Sequence, residues 1–147
     1  MNRPSNTSIV RPMIMDIWNR HDPGAAGRHM TPELAAESAE HVRQFLVAFP
    51  DSGVTVEDIF GERDRVVARL TVRGTHHGPF AGHPPTGRPI DLVSIRIYRL
   101  EDGRVAETWA MQDRLGPMQQ LGLVQETGPV ARAGGPGPEA SGSRSER

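Results

Sequence analysis

A chain of 147 residues is long enough to form one domain with a buried core. Its formal net charge of -1 gives no general electrostatic reason to bind nucleic acid or an acidic membrane surface. The absence of cysteine excludes disulfides, thiolate nucleophiles and cysteine-ligated metals.

The first third of the chain predicts two helices after a flexible N-terminus at residues 1–11. Apolar residues recur at helical spacing over residues 12–20, and Asp22-Pro23-Gly24 then ends the pattern. A second helix is expected from Thr31, which suits the N-cap, and Pro32, which suits the first helical position. This helix should end near Pro50 and lie against a sheet.

From Val54 onwards the apolar residues recur at every second position, which is typical of strands. The predicted strands begin at Val54 and cover residues 66–73, 90–100 and 105–113, with a tight hairpin at Asp102-Gly103 before the last. Helices followed by consecutive, mostly antiparallel strands indicate the α+β class, with a helix layer on a sheet layer.

The composition changes after Val124. Residues 125–147 are rich in Gly, Pro, Ser and charged residues, so they are expected to form a disordered tail behind a single domain at residues 12–124. The N-terminus lacks the apolar region of a secretory signal, and no run approaches the roughly 20 apolar residues of a membrane span. A cytoplasmic protein without membrane contact is therefore expected.

Several motifs in the second half occur together: the Gly/Pro-rich loop at residues 73–89, the Asp102-Gly103 hairpin, Glu107-Thr-Trp109, Asp113 and the segment at 119–122. Over residues 49–123 this combination resembles the SnoaL-like polyketide cyclase family. The resemblance implies the nuclear transport factor 2-like cone, a curved antiparallel sheet wrapped around helices with an internal pocket. It also implies intramolecular aldol ring closure of aromatic polyketides, without a metal or coenzyme.

One family feature has little room in this sequence. Family members usually place a strand with pocket-facing polar residues between the first two helices, where this chain has only residues 21–29. We therefore expect that strand to be missing, with one pocket wall open or supplied by a partner subunit.

The last predicted strand carries the principal catalytic candidate. Alternation places Glu107, Trp109, Met111 and Asp113 on one face, and the large apolar Trp and Met favour that face as the pocket side. The resemblance implies that Asp113 is the acid/base residue. The alternative is that Asp113 only caps the following segment.

His76 shares the apolar face of the second strand, so it should point inward while His77 points outward. His76 could orient Asp113, move a proton or bind a substrate oxygen, or it could simply hold the adjacent loop. His83 is expected at the lip of that loop. Adjacent histidines on a strand face opposite ways, and no His-Glu-x-x-His spacing is present, so no metal site is expected.

The third strand offers two candidate inner faces. One carries Leu92, Ser94, Arg96 and Tyr98; the other, which is more apolar, carries Val93, Ile95, Ile97 and Arg99. The second face would place Arg99 at the pocket rim, where it could stabilise an enolate oxygen. Alternatively, Arg96 and Arg99 are solvated or pair with Glu101 or Glu107. Glu107, next to the hairpin, is expected at the rim.

Four aromatic side chains are candidates for stacking on a flat ligand: Trp18, Phe45, Phe80 and Trp109. Trp109 is favoured as pocket lining together with Met111, whereas Phe45 is expected to be core packing. An amphipathic outer sheet face, assigned Val67, Thr71, Leu92 and Tyr98, favours a homodimer.

These residues predict a cofactor-independent cyclase that acts on a polyketide or a similar enolisable, polycyclic small molecule. Asp113 would move the proton, His76 would position or polarise the substrate, and Arg99 would hold the oxyanion. Two alternatives are a non-catalytic ligand-binding or dimerisation module of the same fold and a SnoaL-like hydroxylase or ring-rearranging enzyme.

Overall fold

The computed structural model describes residues 5–124. Its helical segments are α1 (Asn6–Ile14), which continues into a π-helical turn (Met15–Asn19), a 3-10 turn (Pro23–Ala25), α2 (Ala26–His29), α3 (Pro32–Ala48) and α4 (Leu115–Gln120). The strands are β1 (Gly53–Glu62), β2 (Arg65–Thr75), β3 (Pro89–Glu101) and β4 (Arg104–Gln112). The predicted tail at residues 125–147 lies outside the described residues.

The N-terminal helix begins earlier than the sequence pattern predicts. Ser5 caps α1 by accepting a hydrogen bond from the Ser8 amide, and the helix starts at Asn6 rather than near residue 12. Val10 is fully buried in the core. The prediction of a flexible segment is therefore wrong for residues 6–11, because a capped helix that buries an apolar side chain forms there.

The predicted α+β class is confirmed. The four strands form one antiparallel sheet in chain order, β1-β2-β3-β4, and the helices pack on one face of it. The β3–β4 hairpin turns at Asp102 and Gly103, which have φ values of 48° and 77°, the left-handed geometry of a tight two-residue turn. The helix predicted from Thr31 is also confirmed as α3.

Of the two candidate inner faces of β3, the more polar one, which carries Ser94 and Arg96, faces the helices. Leu92, Ser94 and Tyr98 are buried against the helices, together with Ala68 and Leu70 of β2. The more apolar face of β3 lies on the outside instead, so the choice of inner face made from its apolarity is wrong. Leu92 and Tyr98 are consequently not on the outer face, and their predicted place in a dimer surface is wrong.

Between α1 and α3, where a family strand was expected to be missing, the chain forms helical turns. The only strand-like contact of residues 15–31 is a parallel bridge between Met30 and Val105, next to a 2.9 Å hydrogen bond from the Thr31 amide to the Val105 carbonyl. This segment therefore contacts the edge strand β4 through one bridge and does not add a strand to the sheet.

The loop after β2 approaches the end of α3 so closely that one position requires glycine. The amides of His77 and Gly78 donate to the Ala48 carbonyl at 2.9 and 3.1 Å. A Cβ added to Gly78 would overlap the Val47 carbonyl oxygen, which is backbone and has little freedom to move. Gly78 therefore fixes the distance between this loop and α3.

Gly78→Ala is expected to destabilise the protein by about 1–3 kcal/mol, the usual cost of overpacking. Urea unfolding followed by circular dichroism measures the change. Gly27→Ala is the control, because a Cβ at this exposed position meets nothing within 4 Å. Equal stability of the two variants would contradict the close approach of the loop to α3.

Candidate active site

A cavity of about 710 Å³ lies between α3, the loop after β2, the end of β4 and α4. This volume is within the range of pockets that enclose drug-sized ligands. The cavity is lined by His41, Gln44, Phe45, Val47, Pro79, Phe80, Ala81, Leu92, Gln112, Asp113, Arg114, Pro117 and Met118.

Two phenylalanines form an aromatic wall of this cavity. Phe80, predicted to bind substrate, lies there, and so does Phe45, which was expected to be core packing only. Phe49 supports both from behind, with ring centroids 4.9 Å from Phe45 and 5.0 Å from Phe80. Phe45 packs against Trp18 and Phe49 on one side and lines the cavity on the other.

Asp113 also lines the cavity, at the junction between β4 and α4. Its amide donates to the Val93 carbonyl at 3.0 Å, and its Oδ1 accepts a hydrogen bond of 2.9 Å from the Gly116 amide. The contact with the following segment that the sequence suggested as an alternative role for Asp113 is therefore present. The side chain is exposed to solvent rather than buried among apolar neighbours.

The rest of the face predicted to line the pocket points the other way. Met111 is 82% exposed, Trp109 is 45% exposed, and both lie on the outer face of the sheet with Glu107. Their assignment to the pocket is wrong. Asp113 reaches the cavity because β4 ends at Gln112 and the chain turns into α4, which breaks the alternation.

Arg99 is on the outer face as well, and its predicted place at the pocket rim is wrong. Its Nε and Nη2 donate to Glu107 Oε1 at 2.9 and 2.6 Å, and Nη1 lies 3.4 Å from Glu101. These hydrogen bonds and charges raise the pKa of Arg99. Arg99 therefore pairs with Glu101 and Glu107, as the alternative interpretation of the sequence predicted.

His76 points inward as predicted but does not reach the cavity. Its ring is fully buried behind Phe49 and Phe80, with centroid distances of 5.6 and 6.1 Å. The Thr86 amide lies 3.1 Å from Nδ1, and the Thr86 hydroxyl lies 3.0 Å from the same nitrogen. His76 holds the loop through Thr86, and the prediction that it shares the cavity with Asp113 is wrong.

Trp18, which was predicted to bind substrate, is not among the residues that line the cavity. Its ring is buried and packs edge-on against Phe45, with centroids 5.4 Å apart. The Cζ atom of Arg96 lies 5.8 Å from the centre of the Trp18 ring. Trp18 therefore supports two side chains near the cavity and does not itself line it.

Sequence reasoning missed His41 as a site residue. His41 lies on α3 one turn before Phe45, so both side chains face the same side, and both line the cavity. Burial lowers the pKa of His41 below its ordinary value of 6.5, and the positive charge of Arg96 lowers it further, with a smaller opposing effect from Glu37. The imidazole is therefore mainly neutral at neutral pH.

No group of three or more His, Asp or Glu side chains within residues 5–124 is arranged to hold a metal ion. The same part of the chain contains no helix with the length and apolarity needed to cross a membrane.

Among characterised proteins, the aklanonic acid methyl ester cyclase DnrD of Streptomyces peucetius is 37% identical to this chain over 57 residues. That alignment covers 39% of this chain and 39% of DnrD, so the chain matches about two fifths of the length of this relative.

Solved structures match over a longer range. AclR of Streptomyces galilaeus, a candidate hydroxylase, has a TM-score of 0.76 and 28% identity, and the match covers 84% of each chain. IdmH of Streptomyces antibioticus, a candidate polyketide cyclase, has a TM-score of 0.69 and 29% identity, covering 81% of this chain and 99% of IdmH. The family model for SnoaL-like polyketide cyclases matches residues 8–121. The chain therefore belongs to the SnoaL-like polyketide cyclase family.

Proposed function

We propose that this protein closes a ring in a polyketide-type substrate by an intramolecular aldol reaction, with Asp113 as the acid/base residue. The observation that carries the proposal is the position of Asp113, whose carboxylate lines a cavity of about 710 Å³ with an aromatic wall. Flat polycyclic ligands suit such a wall, because aromatic rings supply apolar contact area with defined geometry.

The proposed reaction needs one group that accepts and returns a proton. Asp113 takes a proton from a carbon next to a carbonyl group, which leaves an enolate in the substrate. The enolate carbon then attacks a second carbonyl carbon of the same molecule, forming the new C–C bond and an alkoxide. The alkoxide takes the proton back from Asp113, so no atom is gained or lost.

The exposure of Asp113 in the open cavity is compatible with this role. Gly116 binds only Oδ1, so Oδ2 is outside that hydrogen bond and is the oxygen we assign to proton transfer. A substrate that fills the cavity would displace water from around the carboxylate. Neutral His41, also in the cavity wall, is suited to hydrogen-bond a substrate oxygen without adding a charge.

The direct test is incubation with an aklanonic acid methyl ester type of substrate, followed by chromatography and mass spectrometry. Ring closure gives a product of unchanged mass with a different retention time. A gain of one oxygen atom with oxygen consumption would identify a hydroxylase instead, the reaction class suggested by the likeness to AclR. Tight binding without any product would favour a non-catalytic binding module.

We also infer that two copies pair through the outer face of the sheet. Phe60, Val67, Ile97 and Trp109 are in register on adjacent strands and form an apolar row across that face. Phe60 is 60% exposed, and Met111 extends the apolar surface beside Trp109. An exposed apolar patch of this kind is typical of protein interfaces, and a two-fold axis would let the row contact itself.

Trp109→Glu is expected to shift the sedimentation mass from two chains to one at micromolar concentration, because a two-fold interface would bury two added carboxylates close together. The fold should survive, since Trp109 is partly exposed. Leu115→Glu, at an exposed apolar position on α4, is the control and should leave the mass unchanged. A one-chain mass for the unmodified protein would contradict the dimer.

A further inference from the structure

One arginine on the inner face of the sheet lacks the acidic partner that the arginines on the outer face of β2 and β3 have. Arg65, Arg69, Arg73 and Arg99, on the outer faces of β2 and β3, each lie within 4.0 Å of an Asp or Glu carboxylate. Arg96 alternates with Ser94 and Tyr98 on the inner face and is half-buried. Among residues 5–124 it forms no salt bridge.

This arrangement leaves hydrogen-bonding capacity unused inside the protein. Arg96 Nε and Ser94 Oγ are both buried and have no hydrogen-bond partner among the described residues. Burial raises the pKa of the Tyr98 hydroxyl, although the positive charge of Arg96 and a hydrogen bond with its side chain act in the opposite direction. The phenol is therefore a neutral hydrogen-bond partner of Arg96 and provides no counter-charge. A half-buried cation without a counter-charge has a desolvation cost, and a bound anion would reduce that cost.

Arg96 and Ser94 lie outside the residues that line the cavity, on the strand face that leads to the cavity. Leu92 and Gln112 line it, and Ser94 pairs in register with Gln112 on the same inner face. Arg96 is next along that face, between Ala68 and Ala110, whose small side chains leave room on both sides. Ala110 is exposed to solvent, so the inner face is open there. The positive charge of Arg96 contributes to the lowered pKa of His41, which lies in the cavity wall.

We propose that Arg96, assisted by Ser94, binds an anionic oxygen of the substrate, so the substrate class is a polycyclic molecule that carries a carboxylate or an ionised phenol or enol. This proposal rests on the proposed function, because it assigns the ligand of the same cavity. The guanidinium is suited to the task because it keeps its charge at all physiological pH values and presents several N–H donors in one plane. Trp18 beneath the guanidinium fixes its orientation.

Calorimetry with an unreactive acid and its neutral analogue tests this proposal. The probes are anthraquinone-2-carboxylate and anthraquinone-2-carboxamide, which share the ring system and differ in charge. We expect the unmodified protein to bind the carboxylate at least tenfold more tightly than the carboxamide. A third probe, 2-hydroxyanthraquinone, measured above and below the pKa of its phenol, tells whether an ionised phenol serves as well as a carboxylate.

Arg96→Met should remove the preference for the acid while retaining carboxamide binding. This variant is expected to fold, because replacing a buried charge by an apolar side chain of similar length is often neutral or stabilising. Arg96→Gln provides a second, polar replacement. Arg99→Gln is the matched control, since Arg99 lies on the same strand but on its outer face and should leave the preference unchanged.

Three results would overturn the proposal: no preference for the acid in the unmodified protein, an unchanged preference in Arg96→Met, or a preference that disappears in Arg114→Gln instead. Arg114 is included because it lines the cavity directly. The probes do not react, so their binding is independent of ring closure. Asp113→Asn should keep the acid preference, which separates failure of this proposal from failure of the proposed catalytic role.

Discussion

Replacing Asp113 by asparagine is expected to lower kcat for ring closure by about 10²–10⁴-fold, the usual contribution of a general acid or base. An amide cannot accept the proton from the substrate carbon or return it to the alkoxide. The loss should appear mainly in kcat rather than in KM, because the side chain keeps its size and its place in the cavity wall.

The fold should be retained in this variant. Asparagine keeps a side-chain oxygen that can accept the Gly116 amide hydrogen bond. Asp102→Asn is a suitable control, since it makes the same chemical change in the β3–β4 hairpin, where asparagine also favours the turn. Unchanged kcat in Asp113→Asn, with circular dichroism of a folded protein, would remove this residue from the mechanism.

Replacing Phe49 by alanine is expected to have the largest effect on stability, about 3–5 kcal/mol of unfolding free energy. The side chain is fully buried at the end of α3 and contacts the rings of Phe45, His76 and Phe80. Removing it leaves a void that these neighbours can fill only by moving. Two of them form the cavity wall, so ligand binding should weaken as well.

Urea unfolding compares Phe49→Ala with the control Leu115→Ala. Leu115 is also a large apolar residue but is 50% exposed on α4, outside the proposed dimer face, so its loss should cost about 1 kcal/mol or less. The void left by Phe49 also predicts weaker binding of the carboxamide probe in Phe49→Ala only. Similar losses of stability in both variants would show that the aromatic wall is not supported by Phe49.

The sequence patterns predicted the strands, the hairpin and the second helix well, because each depends on local features. The inner faces of β3 and β4 were not predicted correctly. Apolarity failed as a guide there because Ile95, Ile97, Trp109 and Met111 give the outer face an apolar character of its own. Alternation with a period of two shows which residues share a face, but it does not show which face the helices cover.

The candidate site was predictable only in part. The family resemblance singled out Asp113 as the acid/base residue, and this residue lines the cavity, although the alternation used to place it there does not apply past Gln112. His41 had a local signal in its helical spacing from Phe45. Arg96 had none, because its lack of an acidic partner depends on the packing of distant segments.

The sheet order has a consequence for how the protein is made. Each strand pairs with its neighbour in the chain, so the sheet can grow hairpin by hairpin as the polypeptide leaves the ribosome. Asp113 follows β4 directly, and β4 pairs only with β3 within the sheet. The nascent chain therefore contains α1 to α3 and all four strands before Asp113 is added, and α4 follows it. The residue proposed to transfer the proton is thus among the last parts of the described domain to be synthesised.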